Sequence, residues 1–350
     1  MVACVINCPL HVSDLLRITP SIAAIEYIVN YVDYELEVVH YRCSLKGWRQ
    51  TSPWSANMTE SGGPSAEAPH RLSSFSRHVD TVASLQRSNY VSELDNWQTI
   101  EFDVIDHVAT ITLNRPEKLN SFSQQMAGEL VRAWQIVRDD ADIHVAVVRA
   151  NGERAFCTGI DVGEGLWWGD VPVFNQEDPG TLLGPKAHKV WKPVIAALHG
   201  MVAGGAMYFV NECDFSICAE STVFFDPHAN AGIVSALEPM GMLALGVPYG
   251  DVMRWALLGS EERISAQTAL RLGLVTEVVD NNQLRDRAAE LAVEIAARRP
   301  LAIQGTVRAM WEARDLTPSL AQRHGLSYTH IGNIGADADS RVNKRQSRTR

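Results

Sequence analysis

The chain has 350 residues, 46% hydrophobic and 21% charged, with a formal net charge of −10. Such a length suits one large domain with an appendage, or two domains, and the apolar fraction can fill a core, which excludes wholesale disorder. The acidic balance makes nucleic acid or an anionic membrane surface a poor partner, and no run of 18 apolar residues marks a membrane-spanning helix.

The charge is uneven. Residues 1–92 carry a net −1, residues 93–340 a net −14, and residues 341–350 a net +5 from Arg341, Lys344, Arg345, Arg348 and Arg350. Six cysteines are too few for a disulfide scaffold. Cys4 and Cys8 have no second Cys/His pair at metal-ligand spacing, so no metal site is expected. The first basic residue is Arg17, which does not fit the basic-then-apolar order of a secretory signal. A reducing cytoplasm is the simplest compartment.

In chain order, residues 1–92 read as an N-terminal extension, largely disordered or translated upstream of the true start, with Met58 as an alternative initiator. Thr51 to Ser88 is rich in Ser, Thr, Pro and Gly, a composition that buries too little apolar surface to offset chain entropy. From Trp97 the pattern becomes regular. Ile100–Ile105 and Val108–Leu113 alternate about Asp106-His107 as a β-hairpin, and Pro116 ends the second strand because proline donates nothing to a ladder. Ser123 caps a helix on which Met126, Leu130, Trp134 and Val137 recur at about four-residue steps. Short strands follow at Val145–Val148, Val194–Leu198 and Thr222–Phe225, which makes a layered α/β core over residues 93–255. Residues 256–340 are mostly helical. The helical signal comprises Val252–Leu258, Ser265–Leu272, Leu284–Arg298 and Leu301–Arg314, with a strand at Val275–Val279. Residues 341–350 form a basic tail. No sequence repeat of fixed period is present.

Two glycine-bearing segments carry chemistry. Arg154 to Val162 contains Cys157-Thr158-Gly159-Ile160-Asp161, and His199 to Met207 contains Ala203-Gly204-Gly205-Ala206 and opens a helix. Glycines at such turns let main-chain N–H groups face a ligand with no β-carbon in the way, and a helix start adds partial positive charge. Two donors aimed at one oxygen make an oxyanion hole. Taken singly, each glycine segment is more often simple close packing, and the G-x-G-x-x-G dinucleotide fingerprint does not fit.

In combination, five ordered segments carry a resemblance: Leu113-Asn114-Arg115-Pro116-Glu117-Lys118-Leu119-Asn120, Ala155 to Asp161, Pro193 to Gly200, Ala203 to Asp214, and Ser265 to Val279. From Trp97 to Ala338 the chain resembles the enoyl-CoA hydratase/isomerase, or crotonase, superfamily. The resemblance implies an α/β spiral of ββα units whose helical C-terminal region packs homotrimers, or hexamers built from two trimers. It implies an acyl-CoA substrate and no tightly bound cofactor, coenzyme A being part of the thioester. It also implies an enolate-like oxygen held by the amides of Ile160 and Gly205, with Lys118, Asp161, Val162, Gly163 and Gly204 along the substrate path.

The family's hydratases carry two glutamates that activate water. Tyr208 and His228 stand at those positions here, so the resemblance favours isomerisation or C–C hydrolysis over standard hydration. The usual base after the oxyanion aspartate is also absent, leaving Lys118 and the basic tail for the CoA phosphates. Phe225 to Val234 is similar to a run in the superfamily's camphor-diketone hydrolases, where a histidine and a downstream acid promote water attack. Glu238 would be that acid here, displaced by one residue.

His228 titrates near neutrality and suits general acid–base work; as the alternative, it is a loop histidine and Glu238 a helix N-terminal acid before Pro239. Tyr208 either donates to an intermediate or lines the acyl pocket. His199 reads as structural and His188 as exposed. Trp167, Trp168 and Phe174 wall an acyl pocket or simply pack. A non-catalytic acyl-CoA-binding protein on the same fold is the competing reading of the whole chain.

Overall fold

The computed structural model describes residues 96–165 and 171–333; the expected N-terminal extension and basic tail, and Trp167 and Trp168, lie outside them. The described residues all fall within Arg77–Arg350. They fold as two β-sheets with helices, the α/β class that the strand–helix alternation indicates.

The six-stranded sheet runs β1-β2-β3-β5-β7-β10, and the four-stranded sheet runs β4-β6-β8-β9. β1 (Ile100–Ile105) and β2 (Val108–Leu113) are the hairpin read from sequence, paired antiparallel from Ile100↔Leu113 to Ile105↔Val108. Asp106 and His107 at its tip have φ of 49° and 68°, the left-handed pair that matches strand twist in a two-residue turn.

The remaining strands reveal a structural repeat. β3 (Val145–Ala150), β5 (Val194–Leu198) and β7 (Phe215–Ala219) are parallel neighbours in the larger sheet. Each is followed within a few residues by a three-residue strand in the smaller sheet: β4 (Ala155–Cys157), β6 (Met201–Ala203) and β8 (Val223–Phe225). The chain thus steps from sheet to sheet three times. The connections differ greatly in length, so the repeat leaves no period in the sequence. Three-residue strands are also too short to show alternation, which is why β4 and β6 escaped the sequence reading; β6 intervenes between β5 and the helix expected to follow it directly.

Helix α1 (Gln124–Asp139) begins where Ser123 Oγ accepts from the Met126 amide, an N-cap. Its four expected core residues are all fully buried, and Trp134 Nε1 donates to Leu183 O at 2.8 Å. Further helices are α2 (Met207–Glu212), α3 (Leu237–Ala244), α4 (Tyr249–Leu258), α5 (Ala266–Leu272), α6 (Leu284–Ala296), α7 (Pro300–Glu312) and α8 (Pro318–Asn333). The strand expected at Val275–Val279 is β10 (Glu277–Val279); β9 is the pair Ile264–Ser265. α3 agrees with the alternative that made Glu238 a helix N-terminal acid before Pro239; α8 extends the helical region beyond Arg314. Among the described residues, no helix is long and apolar enough to cross a membrane.

Candidate active site

The segment Asn114 to Asn120 builds one wall by fastening two turns. Asn120 is fully buried; its Oδ1 accepts from the Arg115 amide at 2.8 Å and its Nδ2 donates to Asn151 O and Ala155 O at 2.9 and 3.0 Å. Arg115 reaches the Asp161 carboxylate at 3.0 Å and that of Glu164 at 3.2 Å. Asp161 also accepts from the Gly163 amide at 3.1 Å, so this aspartate ties the loop after Ile160.

The two glycine turns touch. A β-carbon on Gly159 would lie 3.1 Å from Gly205 N and 3.3 Å from Ala203 O, and φ at Gly159 is +85°, a region that side chains rarely adopt. Phe122 N donates to Gly159 O at 2.8 Å and Asp161 N to Phe122 O at 2.9 Å. Successive amides of an extended chain point to opposite sides, so the Ile160 N–H faces away from Phe122. Gly205 sits in a 3-10 turn (Gly204–Ala206) ahead of α2, where amides have no intrahelical acceptor. Two main-chain donors are thereby left over on adjoining turns.

Ile160 and Gly205 line one cavity of about 670 Å³ together with Asp161, Val162, Gly204, Tyr208, His228 and Glu238. Of the residues expected from sequence, Lys118 and Gly163 are not in its lining. Lys118 is exposed on a 3-10 turn.

The acid–base side is built from side chains. Asp226 is fully buried and its Oδ1 accepts from both the amide and Nδ1 of His228, while Ser235 Oγ donates to Oδ2. A carboxylate acceptor fixes the Nδ1–H tautomer and leaves Nε2 for the cavity. Nε2 is 3.9 Å from Glu238 Oε1. The carboxylate that orients His228 is therefore Asp226, not Glu238 as the sequence reading paired them; Glu238 faces the opposite ring nitrogen. Local Asp-x-His spacing in Asp226-Pro227-His228 was the available signal.

The hydrogen bond to Asp226, more than any other influence, holds the His228 imidazolium above its ordinary value. Burial alone would raise Asp226, but hydrogen bonds from His228 and Ser235 pull it below the usual carboxylate range. Glu238, 6% exposed, is raised by burial, with Asp226 and Asp178 adding to the rise.

Tyr208 lies beside Gly180, whose β-carbon position is 2.1 Å from the ring, and its hydroxyl donates to Asp178 Oδ2. Burial and that aspartate keep the phenol neutral far above its ordinary range. One turn on, Glu212 accepts from the Lys186 and Ala187 amides at 2.7 and 3.1 Å. Residues four apart share a helix face, so α2 grips the loop 178–187 at two points and holds Asp178 in the cavity lining. Sequence reading missed Asp178, which lies in a long connection with no motif. In the same connection Phe174 is fully exposed, and His188 is half-buried with Nε2 at 3.1 Å from Leu182 O rather than exposed. Among the described residues, no three His, Cys, Asp or Glu side chains converge to hold a metal ion.

Residues 104–340 match the model of the enoyl-CoA hydratase/isomerase family. The chain is 34% identical over 232 residues to an (E)-benzylidenesuccinyl-CoA hydratase of Thauera aromatica, covering 66% of this chain and 88% of that one. It is 32% identical over 226 residues to a carnitinyl-CoA dehydratase of Salmonella agona, covering 64% and 83%. In structure it is similar to an enoyl-CoA hydratase/isomerase from Mycobacterium paratuberculosis, with a TM-score of 0.65, 34% identity, and 70% and 94% of the two chains covered. An enoyl-CoA hydratase from Bacillus anthracis gives a TM-score of 0.62 at 26% identity, covering 69% and 93%. Two sheets linked by repeated short steps, adjoining glycine turns and a match across two thirds of the length agree: the chain belongs to the enoyl-CoA hydratase/isomerase family.

Proposed function

We propose that this chain is a CoA-thioester lyase that adds water to, or removes it from, the Cα–Cβ bond of an acyl-CoA. The observation that carries the reading is the 3.9 Å gap between His228 Nε2 and Glu238 Oε1, beside the Ile160 and Gly205 amides in one cavity. That gap is too long for a direct hydrogen bond and suits one bridging oxygen, from water or a substrate hydroxyl. The thioester oxygen accepts from Ile160 and Gly205, which stabilises the charge that develops there. In hydration, Glu238 takes a proton from the bridging water as its oxygen attacks Cβ. The His228 imidazolium delivers a proton to Cα, and after product leaves, proton transfer from Glu238 to His228 through an incoming water resets the pair.

Both family glutamates are replaced at their sequence positions, which favoured isomerisation or C–C hydrolysis. Carboxyl groups nevertheless return to the cavity from elsewhere, as Glu238 and Asp178, and the two relatives matched by sequence above are a hydratase and a dehydratase. Both points support water chemistry. The isomerase and C–C hydrolase readings use the same histidine and differ in product mass.

A panel of 2-enoyl-, 3-hydroxyacyl- and β-oxoacyl-CoA thioesters followed by mass spectrometry tests this. Gain or loss of one water without chain cleavage is expected, with kcat lowered about 10²–10⁴-fold in Glu238→Gln and in His228→Ala. An unchanged mass with a moved double bond establishes the isomerase instead, cleavage establishes the hydrolase, and binding without turnover establishes a binding protein.

Assembly as a homotrimer, or a dimer of trimers, is part of the same proposal. Met310, Leu320, Leu326 and Ile331 of the last two helices are exposed, a concentration of apolar surface suited to burial between subunits. Sedimentation is expected to give a multiple of three.

A further inference from the structure

Acids predominate among the charged groups of the cavity. Four acids line it, Asp161, Glu177, Asp178 and Glu238, and among the described lining residues there is no lysine or arginine. Arg115 neutralises Asp161 at 3.0 Å, and Asp226 beneath His228 offsets the imidazolium. Asp178, Glu177 and Glu238 remain. They do not sit around the thioester oxygen, which belongs to the glycine turns. Asp178 is held at Tyr208 on α2, Glu238 stands at the start of α3, and Glu177 is exposed beside Asp178. The apolar part of the lining includes Phe122, Val162, Ile233 and Leu237. An acyl chain that leaves the Ile160–Gly205 pair and passes His228 therefore runs between apolar side chains and acids.

We propose that the cavity selects acyl groups by charge, taking neutral or cationic acyl chains and rejecting those that carry a second carboxylate. The proposal rests on the CoA-thioester reading and specifies its substrate class. An anionic acyl tail would meet like charges in a site partly shielded from water, where field lines concentrate and the one described cationic lining group, His228, is already offset by Asp226. A quaternary ammonium would meet the same groups as counter-ions. The benzylidenesuccinyl group named for one relative is a carboxylated acyl group, so the inference separates this chain from that relative.

Calorimetry with three saturated thioesters of similar length, hexanoyl-CoA, adipyl-CoA and 4-(trimethylammonio)butanoyl-CoA, tests the inference without relying on turnover. Adipyl-CoA is expected to bind at least about tenfold more weakly than hexanoyl-CoA, and the trimethylammonio thioester as tightly or more tightly. Raising the ionic strength is expected to narrow the ratio. Glu177→Gln, at an exposed position, should narrow it slightly and Asp178→Asn further; the ratio between ligands is the readout, so a general loss of affinity does not obscure it. Adipyl-CoA binding as tightly as hexanoyl-CoA would overturn charge selection while leaving the CoA-thioester reading intact. Failure of all three to bind would overturn both.

Discussion

The two halves of the cavity are built on different principles. On one side the wall is main chain at Ile160 and Gly205, set by glycine turns and by pairing of Phe122 with Ile160, and the proposed donors are its amides. On the other the groups are side chains from separate places: Asp178 in a long connection, Tyr208 on α2, His228 after β8 with Asp226 buried behind it, and Glu238 in the first turn of α3. A main-chain donor can be kept only by keeping the backbone path, and that path demands small residues at fixed positions. A side-chain donor or acid can be supplied from any element that reaches the cavity. The first half is therefore rigid in sequence and the second is interchangeable in space.

The largest effect expected from this contrast comes from Gly159→Ala. A β-carbon there would stand 3.1 Å from Gly205 N on a backbone with φ of +85°, so the added methyl disturbs both donors at once. Loss of one oxyanion donor costs about 10²–10³ in kcat, and kcat in Gly159→Ala is expected to fall at least that far. Circular dichroism and thermal unfolding of the same variant establish that the fold survives. Wild-type turnover from a folded Gly159→Ala would remove the amides from the mechanism.

The side-chain half is sharpened by Asp226→Asn. For hydration, Glu238 must be ionised and His228 protonated, which gives a bell-shaped profile of kcat against pH. Burial moves the acid limb above the ordinary glutamate value, and Asp226 moves the alkaline limb above that of an ordinary histidine. Asparagine removes the anion, so the imidazolium loses its main support and the alkaline limb shifts to lower pH. The acid limb should move far less, since burial is the main cause of the Glu238 shift. A fall in kcat of roughly tenfold to a hundredfold is expected, as when an orienting partner is lost. An alkaline limb that stays in place would show that Asp226 only packs beneath the loop.

The same contrast explains what the sequence disclosed. The β1–β2 hairpin and α1 were legible because turn chemistry, alternation and a serine cap all agreed locally. Gly159 and Gly205 were legible only in combination, since close packing accounts for either segment alone and the ordered set of motifs singled out the pair. His228 and Glu238 were found, but the carboxylate that orients the ring was misassigned: Asp226, two residues before His228, takes Nδ1. Asp178 left no signal at all. Its place is fixed by Tyr208 thirty residues later in sequence and by the grip of Glu212 on the same loop, and no local pattern encodes a tertiary tether of that kind.

The smallest expected effect is on stability, and it opposes the effect on activity. Glu238 is 6% exposed, and burial raises its folded pKa above the unfolded value. The folded chain thus holds the proton more tightly than the unfolded chain. Below the unfolded value both states are protonated and the group costs nothing. As pH rises through the folded value, ionisation occurs in a buried place and the native state loses stability relative to one with a neutral residue. Glutamine keeps the shape and never ionises. Glu238→Gln is therefore expected to unfold at a higher temperature than wild type at pH 8 and at a similar temperature near pH 4. The gain at pH 8 should be modest, because His228 at 3.9 Å partly compensates the anion. A chain that retains an acid at the cost of stability, where the amide is tolerated by the fold, retains it for a proton transfer. Equal unfolding temperatures for the two proteins at pH 8 would mean that the carboxylate is solvated after all, and its place as the base in water addition would lose its physical ground.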